Sequence, residues 1–165
     1  MKKNISILLI ALLCFSLVGC GKTYKGTDEL MQKARKELPV SDADTIDLMY
    51  AGMSDIEDKA LVWYIAGNEY QAHYYLPIEV SVKNNRYTFV HTYKPMTDRC
   101  ADVAVVNWHQ GYAFLVNNPK VETVQITLQN GEVNEEVVQE IPYTFYVRSV
   151  PSEYIFLDAE GNEVQ

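Results

Sequence analysis

Cysteine is scarce in this sequence, which holds only three in 165 residues. Cys14 and Cys20 lie within the first twenty residues, so Cys100 is the single cysteine of the remainder. One cysteine cannot form an internal disulfide, and the stability of this part must come from packing. We expect Cys100 to be buried as a small hydrophobic residue. An intermolecular disulfide and a reactive thiol are the alternatives.

Long hydrophobic runs are also lacking. The longest runs from Ile5 to Val18, and it falls short of the ~20 apolar residues that a membrane-spanning helix needs. No other segment approaches that length, so the sequence predicts no span elsewhere.

Positive charge is sparse, and phosphate-binding motifs are missing. From Thr45 onward the chain holds 17 acidic and 7 basic residues, whereas residues 22–44 hold five of each. Nucleic-acid binding needs a basic surface, so this composition argues against it. The same acidic charge is expected to keep the domain off an anionic membrane surface. Neither glycine-rich phosphate motifs nor the Gly-x-Ser-x-Gly motif of serine hydrolases occurs.

The N-terminus carries the most informative pattern. Lys2 and Lys3 precede the apolar run, which ends in Leu17-Val18-Gly19-Cys20. This layout is that of a secretory signal, and it resembles the signal of bacterial lipoproteins. The resemblance implies that residues 1–19 are a signal peptide and that Cys20 is lipidated. It also implies that the protein is anchored to the cell membrane on the extracytoplasmic side.

Residues 20–26 are predicted to be the lipidated cysteine and a short tether, followed by a single domain over residues 27–165. Leu30, Ala34 and Leu38 form one apolar stripe, and this spacing predicts a helix over 27–38, with Thr27 as N-cap and Pro39 ending it. After Thr45 the apolar period becomes two, which predicts a β-rich region over 45–165.

Turn residues predict several hairpins. Two strand-like segments lie on either side of each of four turns: Gly67-Asn68, Asn84-Asn85, His109-Gln110-Gly111 and Asn130-Gly131. The turn at Gly67-Asn68 predicts three cross-strand pairs: Ile65 with Tyr70, Trp63 with Ala72, and Leu61 with Tyr74. The turn at Asn84-Asn85 predicts four: Val82 with Tyr87, Val80 with Phe89, Ile78 with His91, and Leu76 with Tyr93. Pro77 indicates an edge strand or a bulge. The strands on either side of His109 are apolar at nearly every position, so we expect them to be buried on both faces, beneath the helix.

Catalytic chemistry has little support in the sequence. His73 and His91 fall on opposite faces of the predicted sheet, about 17 Å apart along it, so no metal site is predicted. A small cysteine hydrolase would join Cys100 to His91 or His109 and to Asp98 or Asp102, but no family signature accompanies these residues. The acidic clusters lack the ligand spacing of a calcium loop. We predict no catalytic residue and no cofactor.

Aromatic residues supply the candidate binding surface. The sequence has 12 tyrosines, and an exposed row of aromatic rings stacks on sugars or contacts a protein. The candidate ligand-binding residues are Tyr64, Tyr75 and Trp108.

Together these patterns predict an α+β fold, with the N-terminal helix packed on a mostly antiparallel sheet that forms a sandwich or a half-barrel. The expected function is a lipid-anchored, non-catalytic binding module whose partner is an envelope protein or a glycan. A carbohydrate or cell-wall binding module and a small cysteine hydrolase are the alternatives.

Overall fold

The computed structural model describes residues 22–67 and 73–164. Their elements are, in order, β1 (Thr23–Lys25), α1 (Gly26–Glu37), a 3-10 turn (Ala43–Thr45), β2 (Leu48–Ile56), β3 (Lys59–Ala66), β4 (Tyr74–Lys83), β5 (Arg86–Thr92), β6 (Met96–Asp98), β7 (Val103–Trp108), β8 (Gly111–Val116), β9 (Thr123–Leu128), β10 (Val133–Val137), β11 (Tyr143–Val147) and β12 (Pro151–Leu157). The signal sequence and Cys20 lie outside the described residues.

The described strands form three antiparallel sheets. The first has the order β1-β5-β4-β3-β2, the second β11-β8-β7-β6, and the third β10-β9-β12. The described part of the chain is therefore mostly antiparallel β with one α-helix, and its sheets stack as in a sandwich.

Three apolar cores hold these layers together. The first lies between α1 and one face of the five-stranded sheet. The second fills the space between the opposite face of that sheet and the four-stranded sheet. The third lies between the four-stranded and three-stranded sheets. The core residues of the described chain fall between Tyr24 and Val164, so a chain that begins at Gly21 contains every element described above.

The sequence predicted that the hairpin of β7 and β8 lies beneath the helix. This prediction is wrong, because the hairpin lies between two sheets. Ala104 and Leu115 pack against the face of the five-stranded sheet that is opposite α1. Their neighbours Val105 and Phe114 pack against the three-stranded sheet. Burial on both faces was correctly anticipated from the apolar sequence, but the two covering layers are both sheets.

The predicted tether contributes a strand. Thr23–Lys25 pairs with β5, with Tyr24 opposite Tyr87, and Tyr24 is buried in the first core. A three-residue strand is too short to show a period in the sequence. Only Gly21 and Lys22 therefore separate Cys20 from the sheet.

The helix lies one residue earlier than predicted. Leu30 and Ala34 are buried, and the Lys33 ammonium lies 4.0 Å from the ring centroid of Phe89. Thr27 is inside the helix and is not its N-cap, because the helix begins at Gly26. The carboxylate of Glu29 instead accepts a hydrogen bond from the backbone N–H of Lys25 at 2.6 Å.

The predicted register of β3 against β4 is wrong. Leu61 lies opposite Glu79, and Ala66 lies opposite Tyr74. The prediction had placed Leu61 opposite Tyr74, five positions away. Because β3 is buried on both faces, its apolar residues carried no alternation that could fix the pairing. Asn68, Tyr70 and Ala72 lie outside the described residues.

The register of β4 against β5 is confirmed near the turn and changes beyond it. Val82 lies opposite Tyr87 and Val80 opposite Phe89, as predicted. A bulge between Glu79 and Val80 then places His91 opposite Glu79 and Thr92 opposite Ile78. His91 is consequently exposed and does not face the core.

Pro77 lies in an inner strand, since β4 is flanked by β5 and β3. The expected edge position is therefore wrong, and the bulge occurs two residues later. The carbonyl of Pro77 accepts a hydrogen bond from the backbone N–H of Tyr93 at 2.9 Å.

Candidate functional site

A groove of about 630 Å³ lies at the end of the five-stranded sheet where α1 ends, β4 begins and β5 ends. Its apolar walls are formed by Pro39, Tyr74, Tyr93 and Pro95, and Lys94 and Arg99 contribute positive charge. Glu37 lines the same groove, where its carboxylate accepts a hydrogen bond from Thr92 Oγ1 at 3.0 Å and pairs with Lys33. The groove thus combines apolar surface with two cationic groups that no described carboxylate pairs.

One wall of the groove is held by the carboxylate of Asp102. His73 Nδ1 lies 3.0 Å from Asp102 Oδ1, and Asn117 Nδ2 donates to Oδ2 at 2.8 Å. The hydroxyl of Tyr75 donates a further hydrogen bond to Oδ1. Asp102 adopts a left-handed backbone with φ of 51°, and its carbonyl accepts the N–H of Asn117 at 3.0 Å. The turn before β7, the start of β4 and the end of β8 therefore meet at this carboxylate.

The electrostatics of this cluster favour an ionised Asp102. Burial acts to raise the pKa of Asp102, but the hydrogen bonds from Tyr75, His73 and Asn117 outweigh it and hold that pKa below its ordinary value. Burial and the adjacent carboxylate raise the pKa of Tyr75 far above its ordinary value. The cluster is a carboxylate surrounded by donors, and it fixes the orientation of the His73 and Tyr75 rings.

Another part of the lining is held by a second carboxylate, that of the buried Glu79. Its Oε2 accepts hydrogen bonds from Tyr93 Oη at 2.7 Å and from Trp108 Nε1 at 3.1 Å. The ammonium of Lys59 lies 3.2 Å from Oε1, and His109 Nε2 lies 3.8 Å from Oε2. Burial acts to raise the pKa of Glu79, but the hydrogen bonds from Tyr93, Lys59 and Trp108 outweigh it and hold that pKa below its ordinary value. Burial and the bond to Glu79 raise the pKa of Tyr93 to about 12.

Glu79 also adjoins a second hollow of about 430 Å³ at the tips of two hairpins. The turn at Glu57 and Asp58 forms one side, and the turn at His109 and Gln110 forms the other. Arg148, on the chain after β11, also lines it. Lys59 and His109, which lie near the Glu79 carboxylate, line this hollow. The same carboxylate binds Tyr93, which lines the groove, so Glu79 lies between the hollow and the groove.

The three aromatic residues predicted to bind ligand are all buried. Tyr64, Tyr75 and Trp108 are 0%, 3% and 0% exposed. Each makes an internal hydrogen bond instead: Tyr64 to the carbonyl of Thr27 at 2.8 Å, Tyr75 to Asp102, and Trp108 to Glu79. None offers an open ring face, so the prediction of sugar stacking at these residues is wrong. Tyr75 lines the groove, but its ring is part of the packed wall.

Cys100 is exposed, so the prediction of burial is also wrong. Its backbone N–H donates to Asp98 Oδ1 at 2.8 Å in the turn that precedes β7. Among the described residues, its thiol makes no hydrogen bond to a histidine, and Asp102 is paired with His73 instead. The residues that the hydrolase alternative required are therefore not assembled within the described part of the chain. That part also contains no group of three histidine, cysteine, aspartate or glutamate side chains that could hold a metal ion.

The sequence analysis missed the two carboxylate centres. Asp102 lies 29 residues from His73 and 15 from Asn117. Glu79 lies 29 residues from Trp108. No local motif marks such contacts, because they depend on the pairing and stacking of the sheets.

No protein family model, no curated protein and no solved structure matches this chain. Within residues 22–67 and 73–164, no helix has the length and apolar character needed to cross a bilayer.

Proposed function

We propose that this protein is a lipid-anchored, extracytoplasmic binding module that holds a segment of an envelope protein in the groove at the end of the five-stranded sheet. The N-terminal sequence supports the anchor, since Lys2, Lys3, the apolar run and Leu17-Val18-Gly19-Cys20 follow the lipoprotein pattern. The anchor and the fold adjoin each other, because β1 begins three residues after Cys20.

The observation that carries the binding role is the hydrogen bonding of the groove's lining side chains to two carboxylates. Tyr93 is hydrogen-bonded to Glu79, and His73 and Tyr75 are hydrogen-bonded to Asp102. A wall whose rings are already fixed loses little conformational freedom on binding, which favours affinity. Concave sites with apolar walls and a few oriented polar groups are typical of ligand binding.

The composition of the groove favours a protein segment that carries an acidic group. Tyr74 is 42% exposed and offers part of its ring to a partner. Lys94 and Arg99 are exposed beside it and would pair with a carboxylate. The glycan alternative loses its support, because its predicted stacking residues are buried.

Mass spectrometry of the protein purified from membranes tests the anchor. The expected N-terminal peptide begins at Cys20 and carries a diacylglyceryl group. A Cys20→Ala variant is expected to lose this group and to leave the membrane fraction, whereas a Cys14→Ala control retains both. An unmodified Cys20 in the purified protein would refute the anchor.

Site-specific photocrosslinking on intact cells tests the groove. A benzoylphenylalanine introduced at Tyr74 is expected to give one adduct of defined mass, and the same group at the exposed Val137 of β10 is expected to give none. The added changes Lys94→Glu and Arg99→Glu are expected to abolish the adduct. An adduct that persists with both charges reversed would contradict the role of this groove.

A further inference from the structure

Three basic residues lie side by side across the edge of the five-stranded sheet. Lys25 on β1 lies opposite Arg86 on β5, and Arg86 lies opposite Lys83 on β4. Neighbouring strands are about 4.8 Å apart, so the outer two Cα atoms are separated by about 10 Å. All three residues are exposed. They form a cationic row at one end of the sheet.

The cationic row points away from the helix. Each basic residue has an immediate neighbour in its strand that packs on the helix side of the sheet. These neighbours are Tyr24 next to Lys25, Tyr87 next to Arg86, and Val82 next to Lys83. Successive side chains of a strand point to opposite faces. The row therefore lies on the face opposite α1, in the part that the four-stranded sheet leaves exposed.

Like charges directly opposite one another destabilise a sheet. None of the three cations forms an ion pair with a carboxylate of the described residues. Glu29 is near, but its carboxylate binds the backbone N–H of Lys25. Such a row is costly to the fold by itself, and an anion bound from outside would relieve the repulsion.

Hydroxyl groups adjoin the cationic row on the same face. Thr23, Thr88 and Ser81 occupy the next row along the same three strands. The guanidinium of Arg86 reaches toward them, with Nη1 3.4 Å from Thr23 Oγ1. Cations beside hydroxyl donors suit the oxygens of a phosphate group.

We propose that this face binds the phosphate headgroups of anionic phospholipids next to the lipid anchor. The inference rests on the proposed anchor at Cys20, from which Lys25 is separated by at most about 18 Å of extended chain. An attached lipid holds that end of the chain at the bilayer, where phosphates are abundant. A lipid chain combined with a basic surface gives firmer membrane attachment than either alone. The acidic remainder of the domain would point away from the bilayer.

Vesicle sedimentation tests this inference without the lipid anchor. The chain from Gly21 onward is mixed at low salt with vesicles of phosphatidylcholine alone or of phosphatidylcholine and phosphatidylglycerol in equal parts. Binding to the phosphatidylglycerol vesicles is expected, and it should fall as salt is added. Each basic residue at such a surface changes affinity about fivefold, so Lys25→Gln, Lys83→Gln and Arg86→Gln together should weaken binding on the order of 100-fold.

A matched variant separates the cationic row from the net charge. Lys36→Gln, Lys120→Gln and Arg148→Gln remove the same number of exposed cations from elsewhere on the surface, and they are expected to leave binding within about threefold of the original, because distant charges are screened. Circular dichroism confirms that both variants are folded.

Equal binding to both kinds of vesicle would overturn the inference, as would equal losses in the two variants. Displacement by millimolar inorganic phosphate as complete as that by high salt would also overturn it, because the site would then take free phosphate. Since the tested chain lacks Cys20, these outcomes are independent of whether the anchor itself is correct.

Discussion

The carboxylate of Glu79 accepts a hydrogen bond from the indole N–H of Trp108 across the space between two sheets, at 3.1 Å. Glu79 belongs to the five-stranded sheet and Trp108 to the four-stranded sheet. The same carboxylate binds Tyr93 and Lys59. It is therefore a polar link inside a largely apolar interface, and it holds the Tyr93 part of the groove lining.

Replacing Glu79 is expected to weaken the fold. Glu79→Gln retains one acceptor oxygen and replaces the other with an amide that cannot accept, so at least one donor among Tyr93, Trp108 and Lys59 loses its partner. An unpaired buried donor costs about 1–3 kcal/mol, and we expect a loss of that size in the free energy of unfolding. Urea denaturation of the chain from Gly21 measures it.

The control for this prediction is Glu135→Gln on the exposed strand β10. A surface substitution of this kind changes stability by no more than about 0.5 kcal/mol. A Glu79→Gln variant as stable as this control would show that the carboxylate is not needed to join the sheets.

Asp102 is expected to make stability depend on acid pH. Its pKa is lower in the folded protein than its ordinary value of 3.8, so its contribution is complete above that value and disappears as pH falls through the lower folded value. Asp102→Asn should destabilise the protein by about 1–3 kcal/mol at neutral pH. The difference from the original protein should shrink as the pH falls below about 4.

Urea midpoints between neutral pH and the acid range measure this effect. Glu153→Gln removes one exposed carboxylate and serves as the matched control, and its midpoint should follow that of the original protein at every pH. A constant offset for Asp102→Asn across the acid range would contradict the prediction.

Gly52 is expected to be required where β11 packs on β2. Its φ of 138° lies outside the usual range of other residues, and an added Cβ would lie 2.4 Å from Thr144 Oγ1. Gly52→Ala should therefore destabilise the protein by about 2 kcal/mol or more, through both backbone strain and overpacking.

Two companion variants separate these causes. Gly131 also has a positive φ, of 83°, but its missing Cβ would meet nothing within 4 Å, so Gly131→Ala should cost less. Adding Thr144→Ala to Gly52→Ala should recover part of the loss, because the clashing hydroxyl and methyl groups are removed. If the Gly52→Ala and Gly131→Ala variants were equally stable, overpacking would play no part.

Local signals were sufficient for much of the fold. The turns at Asn84-Asn85 and Asn130-Gly131 join strands in the structure as expected. Both contain residues that tolerate a positive φ, which is 51° at Asn84 and 83° at Gly131. The helix was within one residue of its prediction, because Leu30 and Ala34 gave a clear apolar stripe.

The error in the predicted register of β3 against β4 arose because β3 packs against two cores. β3 packs Tyr64 against the helix side and Trp63 against the four-stranded sheet. Alternation between apolar and polar residues disappears in such a strand, and with it the information about register. The candidate site depends on the same stacking, since Glu79 meets Trp108 only after the two sheets pack. Its residues could not be assembled from sequence for that reason.

Cys100 should react rapidly as a free surface thiol in the folded protein. It is exposed in the turn between β6 and β7, and in the chain from Gly21 it is the only cysteine. A maleimide should therefore add once per chain at the same rate in native buffer as in urea, within about threefold, because no unfolding is needed to reach the thiol.

Cys100→Ala should change the free energy of unfolding by less than about 0.5 kcal/mol, as expected for a side chain that fills no core space. Val103→Ala, three residues later, removes buried methyl groups and provides the contrasting control. Labelling that required urea, or a loss of stability in Cys100→Ala as large as in Val103→Ala, would restore the original expectation that this cysteine is part of the core.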